Sequence, residues 1–222
     1  MKNLEKIKII FLGLFLLSNQ ILFSQIDNKR YLEYSEKYNS EHIKYSLDSI
    51  QLSQDEKLRI CRICWGYDPC DSMPSLSCIN FSYNSNDSIA FKTNHFEVHI
   101  KSIKFKRINH SICREQDMFL EIDNQVVYGT WLEEMPRTEL YRFEVLYRSK
   151  KIEFSKSHWS NFYNPNIRCT NSTLGLYCQI EVFYDKAYNN LYVSLSGADG
   201  ANGYSVLFVF KGGKYVGKVI YM

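Results

Sequence analysis

The hydrophobic pattern of the chain changes its period near residue 75, and this change constrains the fold more than any other feature. From Ser75 onward apolar and polar residues alternate. Because successive side chains of a strand point to opposite faces, a period of two predicts half-buried β-strands. The alternating segments are Ile79, Phe81 and Tyr83; Phe96, Val98 and Ile100; Tyr141, Phe143, Val145 and Tyr147; and Leu174, Leu176, Cys178, Ile180 and Val182. The last segment predicts the most regular strand.

Turn residues between these segments favour antiparallel pairing. Asp123-Asn124 and Gly212-Gly213 each separate two strand-like segments, and both pairs suit two-residue hairpins whose central residues take positive φ. The pattern accommodates roughly nine or ten strands, enough for two layers or a curved sheet. We therefore expect a mainly β fold, an antiparallel sandwich or partly closed barrel with a short N-terminal helical segment.

Helical signals are confined to the region before residue 75. Ser53 and Glu56 have the spacing of a capping box, which predicts a helix over residues 54–63. Apolar residues at helical spacing predict a further amphipathic helix over residues 29–50. Gly66 and Pro69 then interrupt the helical pattern and predict a loop.

The first 24 residues have the order of a secretory signal peptide. Three lysines precede an apolar stretch over residues 9–17, and Ser24 ends a short segment suited to cleavage. Polar residues 18–20 interrupt the apolar run, so it is too short for a membrane anchor. The sequence predicts a bacterial protein exported to the periplasm or beyond the cell, with no membrane span after cleavage.

These features predict three segments. Residues 1–24 are the signal peptide, residues 25–74 a helical lead-in with a cysteine-rich loop, and residues 75–222 an antiparallel β domain, so that 25–222 form one globular unit. Removing the signal takes away three lysines and one glutamate, which leaves 24 positive and 23 negative residues. This balance argues against nucleic-acid binding, and the short basic run 101–107 is typical of a solvated strand face.

The chain contains seven cysteines, an odd number. Disulfides are the default state in an oxidising compartment, so we expect three bridges and one free thiol. Cys169 and Cys178 flank a short loop and form a natural pair. The connectivity of the others stays open, and the bridge candidates are Cys61, Cys64, Cys70, Cys78, Cys169 and Cys178.

The four clustered cysteines permit two alternatives. Cys61, Cys64, Cys70 and Cys78 supply enough thiolates for a zinc site, although the second pair lacks the usual close spacing. A thioredoxin-like pair requires the first cysteine at a helix N-terminus, whereas Cys61 and Cys64 lie late in the predicted helix. Disulfides therefore remain the preferred interpretation.

The histidines give no convincing site in the sequence. His95 and His99 share a strand face with Glu97, but Phe96 and Val98 occupy the opposite, core-facing side, which leaves the histidines in solvent. The other histidines, His42, His110 and His158, are isolated along the chain. We expect no metal there.

Common catalytic and cofactor motifs are missing from the sequence. It contains no Gly-x-Ser-x-Gly, His-Glu-x-x-His or phosphate-binding Gly-x-x-x-x-Gly-Lys-Ser/Thr run, and no motif identifies a family or a cofactor. We expect an exported, non-catalytic protein that binds a protein or a glycan through loops at one end of the sheet. The alternatives are a secreted hydrolase acting on a glycan or peptide, and a zinc or thiol site within residues 61–78. The oligomeric state is not specified by the sequence.

Overall fold

The structure is a computed structural model that describes residues 52–65, 69–115, 118–130, 134–167, 169–172, 175–198 and 203–221. The predicted signal peptide and the predicted helix over residues 29–50 lie outside the described residues, as does most of the loop 198–203. No helix in the described part of the chain is both long and apolar enough to cross a membrane.

In the described part of the chain, two helices precede the strands: α1 (Gln54–Trp65) and α2 (Pro69–Ser72). The first strands are β1 (Leu76–Ile79), β2 (Phe81–Asn84), β3 (Ser88–Lys92), β4 (Phe96–Lys104), β5 (Ile112–Glu115), β6 (Met118–Ile122) and β7 (Gln125–Val126). The remaining strands are β8 (Thr138–Tyr147), β9 (Lys150–Lys151), β10 (Thr170–Ser172), β11 (Gly175–Tyr177), β12 (Ile180–Asp185), β13 (Asn190–Gly197), β14 (Tyr204–Lys211) and β15 (Lys214–Tyr221). Short 3-10 turns cover Arg107–Asn109 and Lys156–His158.

Two open five-stranded antiparallel sheets form the body of the protein. The first sheet has the order β1-β12-β13-β14-β15, and the second has the order β2-β3-β4-β8-β9. One hydrophobic core joins them, as shown by the edge-to-face contact of Phe143 on β8 with Phe208 on β14, whose ring centroids are 4.9 Å apart. The predicted mainly β, antiparallel fold class is confirmed, and the arrangement is consistent with a sandwich because neither sheet closes on itself.

Helix α1 packs on the other face of the first sheet. The predicted capping box is confirmed: the Glu56 amide donates to Ser53 Oγ at 3.3 Å, and the Ser53 amide donates to Glu56 Oε2 at 2.9 Å. The helix extends two residues further than predicted, to Trp65. Arg59 forms a 2.7 Å ion pair with the fully buried Asp185 on β12, which fixes the helix against the sheet.

Local predictions for the C-terminal strands are largely correct. Asp123-Asn124 and Gly212-Gly213 all have positive φ and connect β6 to β7 and β14 to β15, as predicted. Strands β12 to β15 form the expected meander. The continuous strand predicted over residues 174–182 is wrong, because β11 pairs with β10 whereas β12 belongs to the first sheet. Alternation reports which side chains share a face and does not reveal where the chain changes sheets.

A small satellite sheet lies outside the main core. Strands β5, β6 and β7 pair in this order. Phe105, Ile122 and Tyr163 form a separate hydrophobic cluster, against which Ile112, Val127 and Met135 pack. This satellite cluster supports the site described next.

Candidate functional site

The main feature of the satellite region is a histidine between two carboxylates. His110 Nδ1 lies 2.7 Å from Asp123 Oδ2, and His110 Nε2 lies 3.1 Å from Glu139 Oε2. The side chains of His110 and Glu139 are 7% and 10% exposed, whereas that of Asp123 is 51% exposed. An ionised carboxylate only accepts hydrogen bonds, so Nδ1 carries the proton in its bond to Asp123.

The β5–β6 pairing places Asp123 opposite His110. Ile112 pairs with Ile122, so the residue that follows β6 faces the residues that precede β5. Asp123 Oδ1 accepts a 2.9 Å hydrogen bond from the Ser111 amide, and the Asp123 amide donates to the Ser111 carbonyl at 2.8 Å. Asp123 thus closes the open end of the hairpin and orients the imidazole at the same time.

Asn164 fixes the segments that carry two residues of the site, Glu139 and Tyr163. Its Oδ1 accepts from the Arg137 and Thr138 amides at 2.8 and 3.1 Å, directly before Glu139 on β8. Its Nδ2 donates to the Gly129 carbonyl at 2.7 Å. Since Asn164 follows Tyr163, these bonds hold Glu139 and Tyr163 in one fixed arrangement.

Aromatic packing fixes the orientation of the His110 imidazole. The Phe105 ring stacks on His110 with centroids 4.6 Å apart and an interplanar angle of 17°. Tyr163 contacts the same Phe105 edge to face at 5.7 Å. The buried rings restrict the imidazole to the plane in which both ring nitrogens face carboxylates.

A pocket of about 230 Å³ opens over these residues. All of its lining residues have polar side chains, which include both hydrogen-bond donors and acceptors. The lining residues are His110, Asp123, Gln125, Glu139, Lys156, Ser157, Ser160 and Tyr163. This pocket is smaller than the 300–1,000 Å³ typical of sites for drug-sized ligands, so it suits a small polar group.

The charges of the pocket act on Asp123 and Tyr163. Burial alone would raise the pKa of Asp123, but hydrogen bonds from His110 and the Ser111 amide outweigh it and hold this pKa below its ordinary value. Burial raises the pKa of Tyr163, and the charges of Asp123 and Glu139 raise it further. At neutral pH the pocket therefore presents an ionised Asp123 and a protonated Tyr163 hydroxyl.

A partly buried lysine supports the turn that forms one wall of the pocket. Lys218 Nζ on β15 donates to the His158 carbonyl at 2.7 Å and lies 4.7 Å from the centre of the Phe162 ring. Burial lowers the pKa of Lys218 to about 8. His158 follows Lys156 and Ser157 directly, so this bond positions two pocket residues. Trp159 is buried against Phe143, as expected for an aromatic residue packed on the sheet.

The structure contains one disulfide bond, between Cys169 and Cys178, and this predicted pair is confirmed. The other bridge candidates, Cys61, Cys64, Cys70 and Cys78, form no disulfide in the structure. One bridge is therefore present where three were predicted, and any further bridge stays a prediction. Cys113, the unassigned cysteine, is an exposed free thiol.

The alternatives for the cysteine cluster gain no support from the geometry. Among the described residues, no group of three or more His, Cys, Asp or Glu side chains is placed to hold a metal ion. Burial raises the pKa of Cys64, and the nearby Cys61 raises it further; burial likewise raises the pKa of Cys61. Such thiols are poor nucleophiles, which argues against thioredoxin-like chemistry at this pair.

The strand expected to carry His95 and His99 begins at Phe96, so His95 lies directly before it. Phe96 and Val98 are buried as expected, and the intervening Glu97 forms an ion pair with Lys92 at 2.7 Å. His95 is exposed, and His99 Nε2 lies 3.6 Å from Glu97. Glu97 and His99 lie on the solvent face of the second sheet.

The fold and the site define a β-sandwich protein with a small polar pocket on a satellite sheet. No family model matches this chain, and comparison with curated proteins and with solved structures likewise finds no match.

His110 is isolated along the sequence but not in the structure, where Asp123 and Glu139 contact it. Asp123 and Glu139 lie 13 and 29 residues further along the chain. The usable signal is the hairpin: a strand at residues 112–115 paired with the strand before Asp123 brings the aspartate beside His110. No comparable local signal indicates Glu139, which reaches the site through β8 of the second sheet.

Proposed function

We propose that this protein is an exported, non-catalytic binding protein and that the pocket around His110 is its ligand site. The observation that carries this proposal is the imidazole held between Asp123 and Glu139 in the wall of a polar pocket. Both ring nitrogens are directed at carboxylates, so the ring serves as a fixed element of the binding surface. The Cys169–Cys178 disulfide supports export, since such bonds persist in oxidising compartments.

The hydroxyl groups of the pocket are also paired in a way that favours binding over hydrolysis. A serine nucleophile needs a histidine within hydrogen-bond reach of its hydroxyl. Here Ser160 Oγ donates to Gln125 Oε1 at 3.1 Å, and Ser157 Oγ shares a 2.9 Å hydrogen bond with Ser155 Oγ. Both hydroxyls thus interact with groups other than His110.

The two carboxylates are poorly arranged for glycoside cleavage. That reaction needs an acid and a base or nucleophile on opposite sides of the scissile bond. In this pocket the space between Asp123 and Glu139 is filled by the His110 ring. A glycan bound here would be held without being cleaved.

The test combines binding with turnover. Ligand-observed NMR of the purified protein is recorded with a panel of small polyols, amino acids and carboxylic acids, for the wild type and for Gln125→Ala. We expect at least one hydroxyl-bearing compound to bind the wild type and to bind Gln125→Ala several-fold more weakly. Ser157→Ala serves as a second pocket variant in case Gln125→Ala perturbs the turn. Binding that neither variant changes would overturn the pocket assignment.

Chromogenic glycosides and a peptide mixture are incubated with the same proteins to test the hydrolase alternative. We expect no turnover above the background of the buffer. Hydrolysis by the wild type that is abolished in His110→Asn would replace the binding proposal with an enzymatic one.

A further inference from the structure

The hydrogen-bonding groups of the pocket are complementary to hydroxyl groups. Asp123 and Glu139 offer acceptor oxygens, whereas Lys156 offers a donor. Gln125 Oε1 accepts from Ser160, so the amide nitrogen of Gln125 is the end left to donate. A hydroxyl both donates and accepts, and therefore suits a pocket that mixes these groups. A ligand carboxylate in the pocket would be repelled by two like charges.

His110 adds a buried atom that a ligand oxygen would satisfy. Nε2 is buried and forms no hydrogen bond with a described residue, although it lies 3.1 Å from Glu139 Oε2. An unsatisfied buried polar atom costs about 1–3 kcal/mol. Of the seven such side-chain atoms in the described part of the chain, Nε2 is the one whose residue lines the pocket. This atom lies in the wall of the pocket, which points to a polar occupant.

Three cations lie close in the chain to pocket residues: Lys106 and Arg107 shortly before His110, and Arg137 two residues before Glu139. We call these three residues the basic rim. All three are exposed. The Phe105 amide donates to the Arg137 carbonyl at 2.9 Å, and the His110 amide donates to the Arg107 carbonyl at 3.1 Å, so the rim is joined directly to the site through the backbone.

The basic rim is electrostatically uncompensated. None of its three side chains forms a salt bridge with a described residue, whereas other surface lysines do, as in the pair of Lys151 with Glu144 at 2.8 Å. The whole chain has a net charge of only +3, so this local excess of positive charge stands out. Unpaired cations around a site attract anionic ligands and increase their association rate.

We propose that the ligand is an acidic polysaccharide, with one sugar ring in the pocket and the carboxylates of neighbouring sugars on the basic rim. This inference rests on the proposed function and specifies its ligand class. The 230 Å³ pocket limits entry to one small ring, and the hydroxyls of that ring meet Asp123, Gln125 and Lys156. A neutral glycan has no carboxylates to pair with the basic rim. An acidic polypeptide would place only carboxylates, and no ring hydroxyls, at the pocket mouth.

Calorimetric titration with four probes tests this assignment: oligogalacturonate, a neutral malto-oligosaccharide of equal length, poly-L-glutamate, and phosphatidylglycerol vesicles. The variants are the rim double mutant Lys106→Gln/Arg107→Gln and the pocket mutant Gln125→Ala. Lys186→Gln/Lys214→Gln removes two exposed lysines elsewhere and matches the rim mutant in net charge. Ser160→Ala is a second pocket variant.

We expect oligogalacturonate to bind the wild type most tightly, with affinity that falls as salt is added. The rim mutant should bind it at least fivefold more weakly, each pocket variant should also weaken it, and the matched control should bind it like the wild type. Equal affinity for the neutral chain, with no effect of the rim mutant, would overturn the acidic assignment and leave the pocket proposal intact.

Two other outcomes would also reject the acidic-glycan assignment. Tighter binding of poly-L-glutamate or of vesicles, sensitive to the rim mutant but not to Gln125→Ala, would make the rim a general anion surface. Absence of oligogalacturonate binding would reject this ligand class, whereas the proposed function fails only if the panel of small compounds also shows no pocket-dependent binding.

Discussion

Glu56, in the first turn of α1, and Lys211, at the end of β14, form a 2.7 Å ion pair where the helix meets the first sheet. Asn190 on β13 donates a 2.9 Å hydrogen bond to the same carboxylate. Burial alone would raise the pKa of Glu56, but the hydrogen bonds from Lys211, Asn190 and Ser53 outweigh it and lower this pKa to about 2. One carboxylate thus caps the helix and attaches it to two strands.

We expect Glu56→Gln to reduce the free energy of unfolding at pH 7 by about 1–3 kcal/mol, because it removes a buried charge from its partners. The pKa of Glu56 is lower in the folded than in the unfolded chain. Its contribution is therefore complete above about pH 4.5 and is lost as the pH falls toward 2. Urea unfolding at pH 7 and pH 3 measures this, and the difference between wild type and variant should shrink at pH 3. Glu97→Gln, on the solvent face of β4, is the control, and its effect should be small at both pH values. An equal loss at both pH values would contradict the assigned role of the charge.

Lys218→Met should change how stability depends on alkaline pH. The pKa of Lys218 is about 8 in the folded protein, against an ordinary value of 10.5, so between these values the unfolded chain binds more protons. Wild-type stability should therefore rise relative to the variant by up to about 1.4 kcal/mol per pH unit. Denaturant unfolding at pH 7.5, 8.5 and 9.5 gives this difference, in which the titration of cysteines and tyrosines cancels. Lys214 is exposed on the same strand, so the free energy of unfolding of Lys214→Met should change with pH as that of the wild type does. A constant difference between wild type and Lys218→Met across this range would show that Lys218 is not buried as described.

Gly129→Ala should destabilise the satellite region. Gly129 has φ +86°, and an added Cβ would lie 2.2 Å from the Tyr163 carbonyl oxygen and 2.5 Å from the Tyr204 ring. We expect a loss of about 2–4 kcal/mol in the free energy of unfolding, from steric overlap and backbone strain together. Gly212→Ala is matched in φ sign, but its Cβ would meet no atom within 4 Å, so only the left-handed backbone cost of about 1 kcal/mol applies. Similar losses for the two variants would mean that the close approach of Gly129 to Tyr163 does not exist in solution.

The state of the cysteines is directly measurable. Intact mass after alkylation under denaturing conditions counts the thiols outside the Cys169–Cys178 disulfide, and five modified thiols would match the single bridge seen in the structure. A single thiol would instead establish the three-bridge arrangement expected from the sequence. Replacing Cys169 and Cys178 with serine should lower stability by about 2–3 kcal/mol, the entropy expected for a short closed loop. Cys113→Ser, at an exposed position, should leave stability unchanged.

The parts of the fold that were predicted correctly depend on contacts between near neighbours. The Ser53–Glu56 cap and the Asp123-Asn124 and Gly212-Gly213 turns are fixed within a few residues, so their sequence signals are sufficient. The strand expected over residues 174–182 was wrong because the chain changes sheets without interrupting its alternation. Contacts between residues that are far apart in the sequence produce no periodic pattern in it.

In the candidate site, too, only the contacts between near neighbours are predictable from the sequence. The bond between His110 and Asp123 follows from hairpin register, but the approach of Glu139 and the rim residue Arg137 depends on how β8 meets the segment after β4. That contact is set by side-chain packing and by the three side-chain hydrogen bonds of Asn164, neither of which a single sequence displays.

The pocket is supported by Phe105, Ile122 and Tyr163, a hydrophobic cluster separate from the one that joins the two large sheets. Side chains at the pocket mouth, such as Gln125 and Lys156, can therefore be exchanged without altering contacts inside the sandwich. The proposed ligand preference and the overall stability are consequently separable properties of this protein. The pocket mouth is the part of the described chain that an engineer, or natural selection, can change at little cost to folding.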